Sequence, residues 1–125
     1  MKILENILIV DDEDDIREVI ILANKLPYRT FKEAANGLEA LALIKEEKFS
    51  AIICDISMPK ISGIEVFTIT RDMGITTPFI FLSGHAGEDI LSKIKNKGTV
   101  QFVEKTNIRQ LAQIISEIIN KDSLN

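Results

Sequence analysis

Short unbroken apolar runs alternate along this chain with stretches where apolar residues return every three or four positions. The runs are Ile7-Leu8-Ile9-Val10, Ala51-Ile52-Ile53-Cys54, Pro78-Phe79-Ile80-Phe81-Leu82 and Val100-Gln101-Phe102-Val103. Runs of this length read as strands buried on both faces of a sheet. Tyr28 to Ala34 reads as a further strand near a sheet edge. Between the strands, Ile16, Val19, Ile20 and Ala23 share one face of a first helix, with Asp14 as its N-cap. Asn36-Gly37 punctuates, and Ala40, Leu41 and Ile44 mark the inner face of a second helix. Met58-Pro59 and Gly63 lead into a third, from Ile64 to Met73. Ile90, Leu91 and Ile94 mark a fourth, ended by Lys97-Gly98, and Ile108, Leu111, Ile115 and Ile118 mark the last.

Five strand–helix alternations without a linker, repeat or low-complexity stretch predict one α/β domain over residues 1–125. Right-handed crossovers favour a flavodoxin-like doubly wound five-stranded parallel sheet, order 2-1-3-4-5, with five flanking helices. A closed eight-stranded barrel needs about 250 residues, so the chain is too short for one. A dinucleotide-binding fold would place a glycine-rich turn after the first strand. Asp11-Asp12-Glu13-Asp14-Asp15 stands there instead, and five acids would repel a pyrophosphate.

Composition narrows the class. The chain is 46% hydrophobic and 27% charged, as expected of a soluble globular protein. Its net charge is −4 with Lys and Arg scattered, so the basic patch of a nucleic-acid surface is missing. The single cysteine cannot form an internal disulfide, which fits a reducing compartment. Nothing is long enough to span a bilayer, and Met1-Lys2-Ile3-Leu4-Glu5 does not open a signal peptide. The expected location is the cytoplasm.

The chemistry lies where the apolar runs stop. They end at Asp11-Asp12, Asp55, Ser83 and, just beyond the last, Lys105. Parallel strands would bring these ends into one crevice. Asp11 and Asp12 suit a hard, oxygen-loving cation, Mg²⁺ best of all, although acids also favour a helix N-terminus for its dipole alone. Asp55 can accept a phosphoryl group as an acyl phosphate, or merely cap the following loop. Phosphoryl transfer needs its oxygens neutralised and oriented, which a hydroxyl and an ammonium at Ser83 and Lys105 supply. Each residue alone has a plain structural reading, but the four strand ends together do not. Cys54 reads as a small core residue.

In these residues the chain strongly resembles the receiver domain of two-component response regulators. The resemblance is carried by Ile7 to Glu13, Ala35-Asn36-Gly37-Leu38-Glu39-Ala40-Leu41, Cys54-Asp55-Ile56-Ser57-Met58-Pro59 with Gly63, Phe81-Leu82-Ser83-Gly84-His85 and Phe102-Val103-Glu104-Lys105. Spacings agree, with 43 positions from Asp12 to Asp55, 28 from there to Ser83 and 22 more to Lys105. The resemblance implies that Asp55 takes a phosphoryl group from a phosphohistidine on a sensor histidine kinase or histidine phosphotransfer protein. It implies Mg²⁺ on Asp11, Asp12, Asp55 and the backbone carbonyl of Ser57, with Ser83 and Lys105 on the phosphoryl oxygens. Ser83 and Phe102 would form the switch, the ring turning inward as Ser83 moves. The signal would appear on the face of the fourth helix, fifth strand and last helix, where Ile114 and Ile119 widen the apolar stripe. The expected downstream target is a protein, with no nucleic acid or membrane expected as a partner of this domain, and a homodimer is a further candidate assembly. With nothing after Lys121 to serve as an output domain, the chain reads as a stand-alone receiver or one excised from a longer protein.

Two departures from the family pattern stand out. Thr106 replaces the proline that usually follows the lysine through a cis peptide, so a trans bond or a strained one is expected, with an N-cap at Thr106 or Asn107. Gly84 stands where alanine is common and would loosen the loop behind Ser83. Ser57 and His85, each two residues past a site residue, flank the path of hydrolytic water in the family, and His85 is expected to affect the phosphate's lifetime. A phosphohydrolase with an aspartate nucleophile would need a second acid at Ser57, and a flavin carrier a hydroxyl- or glycine-rich loop after the first strand. An unphosphorylated receiver-like module would lack one of the site residues.

Overall fold

The computed structural model describes residues 4–84 and 100–124. Five strands, β1 (Glu5–Val10), β2 (Arg29–Ala34), β3 (Ala51–Asp55), β4 (Phe79–Ser83) and β5 (Val100–Glu104), form one sheet in the order β2-β1-β3-β4-β5. Every neighbouring pair is parallel. β2, the least apolar strand, takes the edge as expected. The four described α-helices are α1 (Asp14–Ala23), α2 (Gly37–Glu46), α3 (Gly63–Asp72) and α4 (Leu111–Leu124). The helix expected at Ile90 to Ile94 lies outside the described residues, as does His85.

Strand alternation divides the core into two layers. Leu8, Val10, Ile52, Cys54, Phe79 and Phe81 face α2 and α3, meeting Ala40, Leu41, Ile44, Val66 and Phe67. Ile7, Ile9, Ala51, Ile53, Ile80, Leu82 and Val103 face α1 and α4, meeting Ile20, Leu111, Ile115 and Ile118. Because both faces are covered, β3 and β4 carry no polar residue before their last position.

Local chemistry sets the helix starts. Asn36 caps α2 by accepting from the Glu39 N–H at 2.9 Å, while the Glu39 carboxylate reaches back to accept from the N–H of Ala35, just before the cap, at 3.1 Å. Ser62 caps α3 by accepting from the Glu65 N–H at 3.2 Å.

Three expectations are corrected. Asp14 is not the cap of α1. Glu13 holds that position without a side-chain cap bond, and Asp14, inside the helix, pairs with Arg17. The inner face of α1 is also turned, so that Arg17 and Ile20 are buried while Val19 and Ala23 are exposed. A charged residue can occupy that inward position because its guanidinium finds three acceptors there. Neither Thr106 nor Asn107 caps the last helix, which is entered through a 3₁₀ segment, Lys105–Gln110, broken at Asn107 (φ −114°, ψ 38°). The Lys105–Thr106 bond is trans, as expected without proline. Ile108, Ile114 and Ile119 pack against the core, so the wide apolar stripe of α4 is explained by burial.

Candidate functional site

Register decides which strand ends meet. Val10 pairs with Cys54, so Asp11 and Asp55 follow side by side. Asp55 pairs with Leu82, and Ser83 with Glu104, which puts Ser83 and then Lys105 one step further along their strands. All four expected strand-end residues therefore border one crevice.

Carboxylate oxygens of Asp11, Asp12 and Asp55 lie within 4.8 Å of one another, with Asp11 and Asp55 buried and Asp12 exposed. Asp55 is held from two sides. Its Oδ1 accepts from the Ser57 N–H at 3.1 Å, and its Oδ2 from Lys105 Nζ at 2.9 Å. Asp11 Oδ1 accepts from the Glu13 N–H at 2.8 Å. Its Oδ2 is buried with no hydrogen bond among the described residues, 3.6 Å from Lys105 Nζ. Glu13 also approaches that ammonium, at 3.8 Å.

The electrostatics follow. Burial, reinforced by the neighbouring Asp55 charge, raises the Asp11 carboxyl above its ordinary range, despite the N–H from Glu13 that favours the charged form. Burial works against the Lys105 ammonium, but its hydrogen bond to Asp55 and the charges of Asp11 and Asp55 outweigh this and raise it. One cation thus faces three carboxylates, those of Asp11, Glu13 and Asp55. A hard divalent cation fits this donor set, because it would take up the Asp11 oxygen that has no hydrogen bond among the described residues and relieve the repulsion.

Ser83 is 5% exposed, and its Oγ is buried with no hydrogen-bond partner among the described residues, free to meet an incoming oxygen. Ser57 is exposed and touches Asp55 through its backbone N–H. Phe102 is half-buried beside Phe81, ring centroids 5.4 Å apart. The Cys54 thiol is fully buried, and that burial pushes it far above its ordinary range, which leaves it inert.

Two residues support the site in ways the sequence reading did not assign: Gly63 was read only as leading into the third helix and as part of the family pattern, and Arg17 was not read at all. Gly63 packs directly beneath the loop after Asp55, where a Cβ would come 2.1 Å from the Asp55 carbonyl oxygen. Its N–H donates to the Ile56 carbonyl at 2.9 Å, and Lys60 closes the same turn in the left-handed region (φ 69°). Arg17 donates to the Asp11 carbonyl at 2.5 Å. Its spacing of three from Asp14 was the visible signal, but only a helical face rotated inward gives it meaning.

The model of the response regulator receiver domain matches residues 7–116. The chain belongs to that family. This receiver is 28% identical over 117 residues to the sporulation initiation phosphotransferase F of Bacillus subtilis, covering 92% of this chain and 94% of that protein. It is 32% identical over 104 residues to an NtrX-like response regulator of Rickettsia bellii, covering 82% of this chain but 22% of that longer protein. Among solved structures it resembles the receiver domain of the histidine kinase CKI1 from Arabidopsis thaliana, in complex with Mg²⁺ and BeF₃⁻. That likeness has a TM-score of 0.75 at 28% identity, over 93% of this chain and 90% of the other. No helix among the described residues of this receiver is long and apolar enough to cross a membrane.

Proposed function

We propose that residues 1–125 act as one Mg²⁺-dependent phospho-accepting switch in a two-component phosphorelay of the cytoplasm, with Asp55 as the acceptor. The carrying observation is the gathering of Asp11, Asp12 and Asp55 within 4.8 Å, with Lys105 on Asp55 at 2.9 Å. In this reading Asp11, Asp12, Asp55 and the Ser57 carbonyl hold Mg²⁺, which neutralises phosphoryl oxygens and lets the carboxylate approach them. An Asp55 oxygen attacks the phosphorus of a phosphohistidine on a sensor kinase or phosphotransfer protein. The P–N bond breaks, its electron pair stays on the imidazole nitrogen, and an acyl phosphate forms on Asp55. Lys105 then exchanges its carboxylate partner for a phosphoryl oxygen, and the Ser83 hydroxyl donates to another.

The exchange of partners couples chemistry to signal. Ser83 and Phe102 stand on adjacent strands, and a hydroxyl drawn toward the phosphoryl group makes room for the ring beside Phe81. The phosphoryl group favours that arrangement through contacts present in it alone. A downstream protein reads the change on the face that includes β5 and α4. The chain catalyses only its own phosphorylation and dephosphorylation. The Mg²⁺ and BeF₃⁻ bound by the Arabidopsis receiver support this assignment of the crevice.

Intact-mass spectrometry after incubation with acetyl phosphate tests the reading. One added phosphoryl mass that requires Mg²⁺ and is absent in Asp55→Asn is the expected result. A wild type that gains no mass, under conditions that preserve acyl phosphates, would sink it.

A further inference from the structure

We propose that Arg17 is a positioning residue that aims Asp12 at the cation, an inference that rests on the receiver reading above. Its guanidinium is buried and clamps three elements of structure. Nη1 donates to the Asp11 carbonyl oxygen at 2.5 Å and Nε to Glu33 Oε1 on β2 at 3.0 Å, while Nη2 pairs with Asp14 in the first turn of α1.

The Asp11 carbonyl lies one residue past the end of β1, whose last ladder partners are those of Val10. That carbonyl belongs to the peptide joining Asp11 to Asp12. A clamp on its oxygen fixes the tilt of this peptide, and the tilt sets the direction in which the Asp12 side chain leaves the backbone. Asp11 has a second constraint, the Glu13 N–H on its own carboxylate. Asp12 has none, since it is exposed and no hydrogen bond among the described residues holds its carboxylate. Its aim therefore depends on the backbone alone, and through the backbone on Arg17. A planar fork is required, because a lysine cannot span three acceptors on two faces at once. Glu33 and Asp14, with side chains 47% and 86% exposed, are the outer legs that keep the fork in register.

The experiment measures Mg²⁺ affinity by isothermal titration calorimetry on the full chain, and acetyl phosphate-driven phosphorylation against Mg²⁺ concentration. Arg17→Ala should weaken Mg²⁺ binding about tenfold, and Arg17→Lys should recover only part of the loss. The rate at saturating Mg²⁺ should fall by less than about threefold, because the carboxylates themselves remain. The double variant Asp14→Ala/Glu33→Ala, altered only at exposed side chains, should weaken binding about two- to threefold and carries the test should Arg17→Ala not fold. A merely structural Arg17 would lower the thermal midpoint of these variants and leave the Mg²⁺ dependence of phosphorylation unmoved. Unchanged affinity in both Arg17→Lys and the double variant, beside a wild type that binds Mg²⁺, overturns the positioning role alone. A wild type that binds no Mg²⁺ removes the receiver reading and this role together.

Discussion

Ile52 and Asp55 stand three residues apart on β3, and their exposures are 0% and 1%. Their burial has opposite consequences. Ile52 lies between Leu8 and Phe79 in the register, apolar on both sides, and contributes about 2–3 kcal/mol by leaving water. Asp55 lies beside Asp11, like charge against like charge, with one ammonium to offset both. The same contrast repeats on β1 and β4, where Val10 and Leu82 are satisfied and the next residue is not. Strand middles make this sheet stable, and strand ends hold the polar groups that stability alone would not select. The protein concentrates its tension at one edge, where the proposed cation and phosphoryl group would relieve it.

The contrast is tested most severely in the middle. Phe67 packs edge-on against Phe79 at 5.1 Å and Phe81 at 5.6 Å, with the Arg71 guanidinium 4.6 Å from its ring centroid. Phe67→Ala should destabilise by about 3–5 kcal/mol in urea denaturation. A loss below about 1 kcal/mol would mean that the aromatic layer is not the keystone of that face.

At the strand ends, Lys105→Gln removes the common counter-ion. We expect a loss on the order of 2 kcal/mol in divalent-free buffer, and phosphoryl uptake slower by about 10²-fold. The Lys105 ammonium titrates above its ordinary 10.5 when folded, so its contribution is complete below that pH and disappears as pH rises through the higher native value. An unchanged alkaline limb in the variant would contradict the pairing.

Asp11→Asn should act in the opposite direction. Without divalent cations it should stabilise the fold by about 1 kcal/mol, because an amide carries no charge to bury or to oppose Asp55. The native Asp11 holds its proton to a higher pH than the unfolded chain, whose value is 3.8. Wild type therefore gains stability from this group as pH falls through the native value, and loses it as pH rises. The variant should lack that component, and added Mg²⁺ should reverse the order of the two proteins. Equal melting curves with and without Mg²⁺ would show that Asp11 carries no such tension.

The smallest effect is expected at Gly84. A Cβ there meets nothing within 4 Å among the described residues, so Gly84→Ala should change stability by less than about 0.5 kcal/mol. A larger change would show that the loop behind Ser83 needs glycine's freedom.

Much of this was legible from residues in order. An unbroken apolar run ended by one polar residue marks both a strand buried on two faces and the point where it emerges. Asp11, Asp55 and Ser83 were therefore visible as strand ends before any contact was known. Lys105 was visible by its place after the last run. The edge position of β2 followed from its polar residues, and the inner faces of α2 and α4 from their spacing. Arg17 was missed, and Val19 and Ala23 were turned inward, for one reason. Periodicity assigns inward positions to apolar residues, whereas burial of a guanidinium depends on acceptors supplied by Asp11 and Glu33, which periodicity cannot see. The entry to α4 was misread because capping preferences describe α-helices, and here a 3₁₀ segment intervenes.

The sequence by itself determined the alternation of strands and helices, the order in which they assemble and the chemical identity of every group at the strand ends. These are matters of local period and of a connection rule that holds for nearly all parallel crossovers. Only the tertiary structure decided which of those groups touch. Register brings Asp11 to Asp55 and gives Lys105 three carboxylates within 3.8 Å. It also leaves Asp11 Oδ2 and Ser83 Oγ buried without hydrogen-bond partners among the described residues. Such electrostatics depend on distance and desolvation, which fall sharply over a few ångströms and are set by the packing of residues far apart in the chain.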